Sequence, residues 1–188
     1  MKKALFIGLL LASSVACAGE YRNGPYVAGH IGFDATSYKA GGEKENQTRM
    51  LWDVALGARS RSVRAEFEWA NTTRAHIEDA YIEQQRYMGQ FYYDIPLRPS
   101  AVRPFLNAGL GMAYTELSSL KGNGKREKSD KSTFCWNVGA GLGINVNKWL
   151  SFDLGYRYID AGRPKFFDAE EGTKIRHHEG YTGVRVTF

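Results

Sequence analysis

The sequence predicts an all-β protein, an eight-stranded antiparallel up-and-down barrel that crosses a membrane. Three observations lead to this fold class. Apolar and polar residues alternate with a period of two along most of the chain, which is typical of strands with two different faces. The apolar runs are short and the mean hydropathy is -0.42, which excludes a protein built on membrane helices of about 20 apolar residues. Twenty-one glycines, 5 prolines, 11 tyrosines and 10 phenylalanines favour sheet over helix.

The first 18 residues predict an export signal. A basic start with Lys2 and Lys3 is followed by the apolar run 4–12 and by a small-x-small site at 16–18. We therefore expect cleavage between Ala18 and Gly19, which leaves residues 19–188 as one barrel domain. A lipoprotein signal with Cys17 as the lipidated residue is the alternative, although Ser14 stands where such signals usually carry leucine. The net charge of +5 for 188 residues becomes smaller when Lys2 and Lys3 leave with the signal, so it indicates no particular anionic partner, and no nucleic-acid partner is expected.

The clearest alternation runs from Phe134 to Val146, where Trp136, Val138 and Leu142 share one face and glycines fill much of the other. The same pattern recurs along the chain and predicts eight strands, at 25–34, 50–59, 63–73, 81–94, 103–115, 133–146, 149–159 and 175–188. Three connections are predicted to be short, at 60–62, 95–102 and 147–148. The other four are predicted to be long polar loops, at 35–49, 74–80, 116–132 and 160–174. Short turns at one end and long loops at the other are typical of outer-membrane barrels.

The apolar face is expected to meet lipid. It carries bulky side chains on nearly every strand, which is too much volume for the inside of an eight-stranded barrel. Its aromatic residues concentrate near strand ends, as in the girdles at membrane interfaces. The opposite face is rich in glycine and carries charges of both signs. A soluble barrel with the apolar face inside is the alternative.

The charges on the second face therefore point into the lumen, where they must be paired to be tolerated. We predict an interior salt-bridge network formed by Asp53, Arg64, Glu66, Glu68, Arg86, Asp94, Asp153, Arg157, Glu179 and Arg185. Eight strands leave an interior that side chains just fill, so no wide aqueous pore is expected.

Other patterns favour simple structural roles. Gly139, Gly141 and Gly143 lie on a continuous strand, so they do not form a dinucleotide loop, and no cofactor is expected. His177 with Glu179 and His30 is at most a weak metal site, and we predict no metal.

Asp34, Glu116 and His177, near the predicted rim, form no recognisable catalytic set, so no enzymatic activity is expected. Cys135 is expected to be a small inward filler. The basic segment 121–131 is either solvated or a contact for anionic glycolipids and host polyanions.

Several stretches resemble one family. The segments Gly89 to Asp94 and Arg103 to Tyr114 look like the fourth and fifth strands of the small bacterial outer-membrane β-barrels, which include opacity-protein-like surface antigens and OmpA/OmpX-type proteins. The segments 138–143 and 150–158 resemble the sixth and seventh strands. A terminal Phe188 with Val184 and Val186 before it is similar to the family's barrel-assembly signal.

The resemblance implies the outer membrane of a Gram-negative bacterium and insertion by the barrel-assembly machinery. We expect a non-enzymatic envelope protein, or a surface antigen or adhesin that presents four loops to a host or cell-surface ligand. Outer-membrane lipid and lipopolysaccharide are expected to surround the barrel. The alternatives are a narrow porin-like conduit for small solutes and an enzyme that modifies lipid A.

Overall fold

The computed structural model describes residues 22–40, 43–77, 80–97, 101–120, 126–162 and 174–188. The strands are β1 (Gly24–Ala40), β2 (Glu43–Ser60), β3 (Val63–Ile77), β4 (Ala80–Asp94), β5 (Val102–Leu120), β6 (Arg126–Asn145), β7 (Leu150–Asp160) and β8 (Lys174–Thr187). Each pairs antiparallel with the next, and β8 pairs with β1, so the sheet closes into a barrel. The predicted eight-stranded all-β class is confirmed. The described residues include no helix long and apolar enough to cross a bilayer.

The export signal and its cleavage site at Ala18 and Gly19 lie outside the described residues. The three short connections fall close to their predicted places, at 61–62, 95–101 and 146–149.

The prediction of four long loops was wrong for three of them. Most of 35–49, 74–80 and 116–132 is strand, and these connections shrink to 41–42, 78–79 and 121–125. The fourth connection, 161–173, stays long. The sequence pattern missed the extensions because both of their faces are polar, and alternation between apolar and polar residues then gives no signal.

The two faces of the sheet point as the alternation predicts. Trp136 is 39% exposed and Leu142 is 40% exposed, and both lie on the outer wall, whereas Arg157 on the inner face is only 1% exposed. Glycine on the inner face allows large side chains of neighbouring strands to fold over it. The apolar residues therefore form the wall of the barrel and the charged residues fill its centre.

Aromatic residues mark the edge of the apolar wall that lies away from the short turns. At this edge, rings pair edge to face across neighbouring strands. The ring centroids are 5.2 Å apart for Trp52 and Trp69 and 5.7 Å apart for Tyr87 and Tyr114. We call these rings the outer girdle. Beyond it, the outward residues become polar, as at Ser37, Asn71, Glu116, Ser132 and Asp130.

Strands of 19 and 20 residues, as in β5 and β6, are about twice as long as a membrane crossing requires. Much of the excess lies beyond the outer girdle, so the barrel wall would continue past the membrane that the sequence predicts. Its height is uneven, because β7 has only 11 residues and its ladder with β6 begins at the pair Trp136 and Asp160. We call the part beyond the outer girdle the rim.

Candidate functional site

The lumen of the barrel holds a network of buried, charged side chains. Inward side chains from all eight strands meet there, and every charged residue of the predicted interior set is 6% exposed or less. Their contacts form three levels, which we name the lower, middle and upper clusters, counted from the end that carries the short turns.

The lower cluster is centred on Arg64 of β3. Its guanidinium donates to Asp94 at 3.1 Å and to Asp153 of β7 at 3.3 Å, and lies 3.6 Å from Glu66. Arg185 adds a second cation 3.1 Å from Asp153. Arg59 donates to Asp94 from the end of β2. The cluster thus joins opposite walls of the barrel.

The middle cluster is centred on Arg157 of β7. Its guanidinium donates to Glu179 at 2.5 Å, to Glu68 at 2.6 Å and to Asp53 at 3.3 Å. One arginine therefore compensates carboxylates from three strands, with the fork geometry that charge-assisted hydrogen bonds favour. Arg86 donates to the second oxygen of Glu179. His30 lies against Asp53, with 2.5 Å between Nδ1 and Oδ1.

The upper cluster contains Asp34 and His177, with 2.9 Å between Oδ2 and Nδ1. Thr36 Oγ1 donates to Asp34 and lies 3.0 Å from the same His177 Nδ1. In a nucleophile relay, the hydroxyl and the acid occupy opposite nitrogens of the imidazole ring. The arrangement here is therefore a buried hydrogen-bonding group and lacks the geometry of a catalytic triad. Glu116 lies on the outer face of β5, away from this pair.

Three possible metal ligands, Asp34, His177 and Glu179, have ligand atoms within 4.8 Å of one another. Guanidinium groups already compensate the two acids: Arg49 lies 3.7 Å from Asp34, and Arg86 and Arg157 bind Glu179. A divalent cation would have to displace these arginines and would be repelled by them. We therefore assign the three residues to the ion-pair network.

Beside the middle and upper clusters, part of the inner wall is apolar: Met88 pairs with Glu68, and Ile159 pairs with His177. Its members are Met88, Ala113, Cys135, Ile159, Ala161 and Ile175, all buried. Cys135 is a free thiol within this cluster. Apolar packing and ion pairs together fill the described lumen.

Aromatic rings also face inward, which the sequence pattern did not reveal. Tyr26, Phe105 and Tyr181 are each 4% exposed or less. Each stands directly opposite a glycine on the neighbouring strand, in the pairs Tyr26 and Gly57, Phe105 and Gly141, and Tyr181 and Gly155. The glycines leave room for the rings, and the rings in turn pack against the arginines of the network. Opposed glycine and aromatic residues were the signal that could have located them.

The rings lie close to the arginines. Arg64 sits over Tyr92, 4.3 Å from the ring centroid, and Arg157 sits 5.1 Å from that of Tyr181. Cation–π contacts of this kind are stronger when desolvated. Tyr26 donates a hydrogen bond of 2.5 Å to Glu66, so its hydroxyl belongs to the same network.

Replacing Gly155 by valine tests the fit between glycine and ring. A Cβ at this position would lie 2.5 Å from the hydroxyl oxygen of Tyr181, so the ring must move. We expect a loss of about 1–3 kcal/mol in unfolding free energy, as for other overpacked interiors. Urea unfolding in lipid vesicles measures it.

Gly29→Val is the matched control, because a Cβ there points to the outer wall and meets only Asp53 O, at 3.7 Å. The control should change stability by less than about 0.5 kcal/mol. Equal losses in the two variants would contradict the assigned fit.

The structure therefore brings all ten residues of the predicted interior set into the lower and middle clusters. It adds Arg59, Arg49, Asp34, His30 and His177, which the sequence analysis left out of that set. The basic segment 121–131 falls partly outside the described residues: 126–131 belongs to β6, in the rim.

Comparison with known proteins identifies clear relatives. A family model described as outer membrane protein beta-barrel domain matches residues 4–188. Outer membrane protein PagN of Salmonella typhimurium strain LT2 is 32% identical over 87 residues, which are 44% of this chain and 36% of PagN. The matched part thus spans about a third of that relative's length.

Solved structures share the fold. Neisserial surface protein A is similar with a TM-score of 0.67 and 21% identity, over 87% of this chain and 97% of that chain. Ail of Yersinia pestis, in complex with the heparin analogue sucrose octasulfate, gives a TM-score of 0.57 and 16% identity, over 86% and 99%. At these identities the likeness concerns the fold.

Proposed function

The chain belongs to the outer membrane protein beta-barrel domain family, and from this premise we propose that it is a non-enzymatic surface protein whose rim binds a ligand outside the cell. It is a protein of the Gram-negative outer membrane. The observation that carries the proposal is the extension of β5 and β6 to 19 and 20 residues, well past the outer girdle. A barrel that served only as a membrane anchor would not need strands that extend beyond the outer girdle.

The lumen supports a scaffold role over a conduit. Arg64 is 0% exposed and Arg157 is 1% exposed, so side chains occupy the centre of the barrel. An ion that entered would have to separate buried pairs, which is costly. The same packing makes the barrel stiff, and a stiff support holds binding loops and strands in place.

A sulfated glycan is the ligand class that we propose for the rim. The segment 121–131 carries five basic and two acidic residues, and its last part is rim strand. Ail, which shares the fold, was crystallised with a heparin analogue. Basic side chains on a projecting hairpin attract a polyanion by charge complementarity. Residues 121–125 lie outside the described structure, so the proposal for them rests on sequence.

Binding to immobilised heparin tests the proposal. The variant Lys125→Gln, Arg126→Gln and Lys128→Gln removes three charges from the segment 121–131, and two of these residues belong to β6 in the rim. We expect it to weaken heparin binding by at least roughly tenfold, equivalent to about 1.4 kcal/mol. Surface plasmon resonance on detergent-solubilised protein at physiological salt measures it.

The matched control removes three exposed cations at the opposite end, Arg22→Gln, Arg61→Gln and Lys148→Gln. It should bind heparin as the unmodified protein does. An equal loss in both variants would mean that net charge alone, and not the rim, explains heparin binding. Absence of binding by the unmodified protein would refute the proposal.

Biogenesis is proposed to follow the family route. Export would end with cleavage between Ala18 and Gly19, leaving residues 19–188 as the barrel domain. The terminal signal of Val184, Val186 and Phe188 would engage the barrel-assembly machinery. In support, Val184 and Phe188 are 41% and 54% exposed on the outer wall.

A further inference from the structure

A notch opens in the outer wall at Gly180 of β8. Its neighbours in register are Tyr156 on β7 and Phe33 on β1, with exposed fractions of 51% and 63%. A Cβ built on Gly180 would meet no atom within 4 Å. Two large rings thus stand on either side of an open glycine floor. This shape suits a chain of methylene groups, because such a chain would gain dispersion contacts from both rings and from the backbone.

Polar groups stand directly above the notch, towards the rim. His178 Nδ1 lies 2.6 Å from the hydroxyl of Tyr156, and the imidazole packs edge to face on Tyr158 with centroids 5.3 Å apart. Arg176 follows on the same face of β8, with a side chain 48% exposed. Its Nε is 3.9 Å from Asp160 Oδ2, too long for a hydrogen bond, so its donors are available for another acceptor.

We propose that this notch, together with His178 and Arg176, binds one phosphorylated glycolipid of the outer leaflet. An acyl chain lies over Gly180 between Tyr156 and Phe33, and a headgroup phosphate accepts hydrogen bonds from Arg176 and His178. Arginine suits this role because its fork of donors matches a phosphate. The inference rests on the outer-membrane location of the proposed function and is independent of glycan binding at the rim.

Two other grooves in the wall lack this combination. One surrounds Gly29, with Val54, Leu56 and Trp69, and the other surrounds Gly89, with Phe91 and Leu110. Neither has a lysine, arginine or histidine among its described lining residues. Acyl chains at these grooves find apolar contacts without a headgroup partner. Of these three places on the wall, the notch at Gly180 is therefore the one that offers both apolar contacts and cationic groups.

Lipid binding in phospholipid nanodiscs tests the proposal. Native mass spectrometry counts retained lipid A, added either in its bisphosphorylated form or after enzymatic removal of both phosphates. We expect the unmodified protein to prefer the phosphorylated form at least tenfold. Arg176→Gln with His178→Gln should bring this preference close to one while leaving the dephosphorylated form bound as before.

Gly180→Leu fills the notch and should weaken binding of both forms, by about tenfold. The open space at this position means that the variant should fold normally, as a heat-modifiable gel band will show. Gly89→Leu fills the groove on the other wall and should leave binding unchanged. Equal binding of the two lipid forms by the unmodified protein, or equal losses for the two leucine variants, would overturn the proposal. Neither result would affect heparin binding, which tests the rim separately.

Discussion

Replacing Arg157 by leucine is expected to lower the unfolding free energy by about 3–5 kcal/mol, the cost of removing one partner from a buried ion pair. The guanidinium binds Glu179, Glu68 and Asp53 at 2.5, 2.6 and 3.3 Å, and its side chain is 1% exposed. Leucine leaves three carboxylates with less compensation in a closed lumen. Urea titration in phospholipid vesicles, followed by tryptophan fluorescence and gel mobility, measures the loss.

Two comparisons make this prediction specific. Arg176→Leu removes an arginine that is 48% exposed and 3.9 Å from its acid, and should cost less than about 1 kcal/mol. Adding Glu68→Gln to Arg157→Leu should recover part of the loss, because one uncompensated charge disappears. If Arg157→Leu were as mild as Arg176→Leu, the middle cluster would not stabilise the barrel.

Replacing Leu142 by arginine is expected to lower stability by about 2–4 kcal/mol, as for a cation near the bilayer midplane on the lipid face of a barrel. Leu142 is 40% exposed on the outer wall of β6. It lies near the middle of the outward apolar run from Phe134 to Val146. The same vesicle titration measures the change.

Ser132→Arg is the matched control, on the same strand and the same face but beyond the outer girdle. The cost of arginine falls to about 0–1 kcal/mol near the interface. A depth-dependent difference between these two variants would follow from the placement of the membrane. Equal costs at both positions would contradict it.

The sequence predicts the barrel well because a membrane wall must be apolar on one side along its whole crossing. In Phe134 to Val146 this requirement yields uninterrupted alternation. The wall no longer needs an apolar face beyond the membrane surface, so the alternation of apolar and polar residues ends there as well. Thr48 and Asn46 continue β2 into the rim, yet their polar neighbours look like a loop. Strand number and facing were therefore predictable, whereas strand length was not.

The arrangement of the lumen was also only partly predictable from the sequence. Alternation assigns Arg64 and Asp153 to the inner face, but nothing local indicates that residues 89 positions apart will meet. Partner choice depends on which strands stand across the barrel and on their register. Inward rings are hidden for another reason: in the run 91–93 both faces are aromatic, so the inward Tyr92 is masked by its outward neighbours.

The bonds across the lumen have a consequence for the order of assembly. Arg157 joins Glu68 and Asp53 over 89 and 104 positions of sequence, and these strands face each other only once β1 has met β8. Until then the same groups stay hydrated in a half-open sheet. Dehydration and pairing must therefore coincide in the last step, so we expect sealing of the seam to be slow and all-or-none.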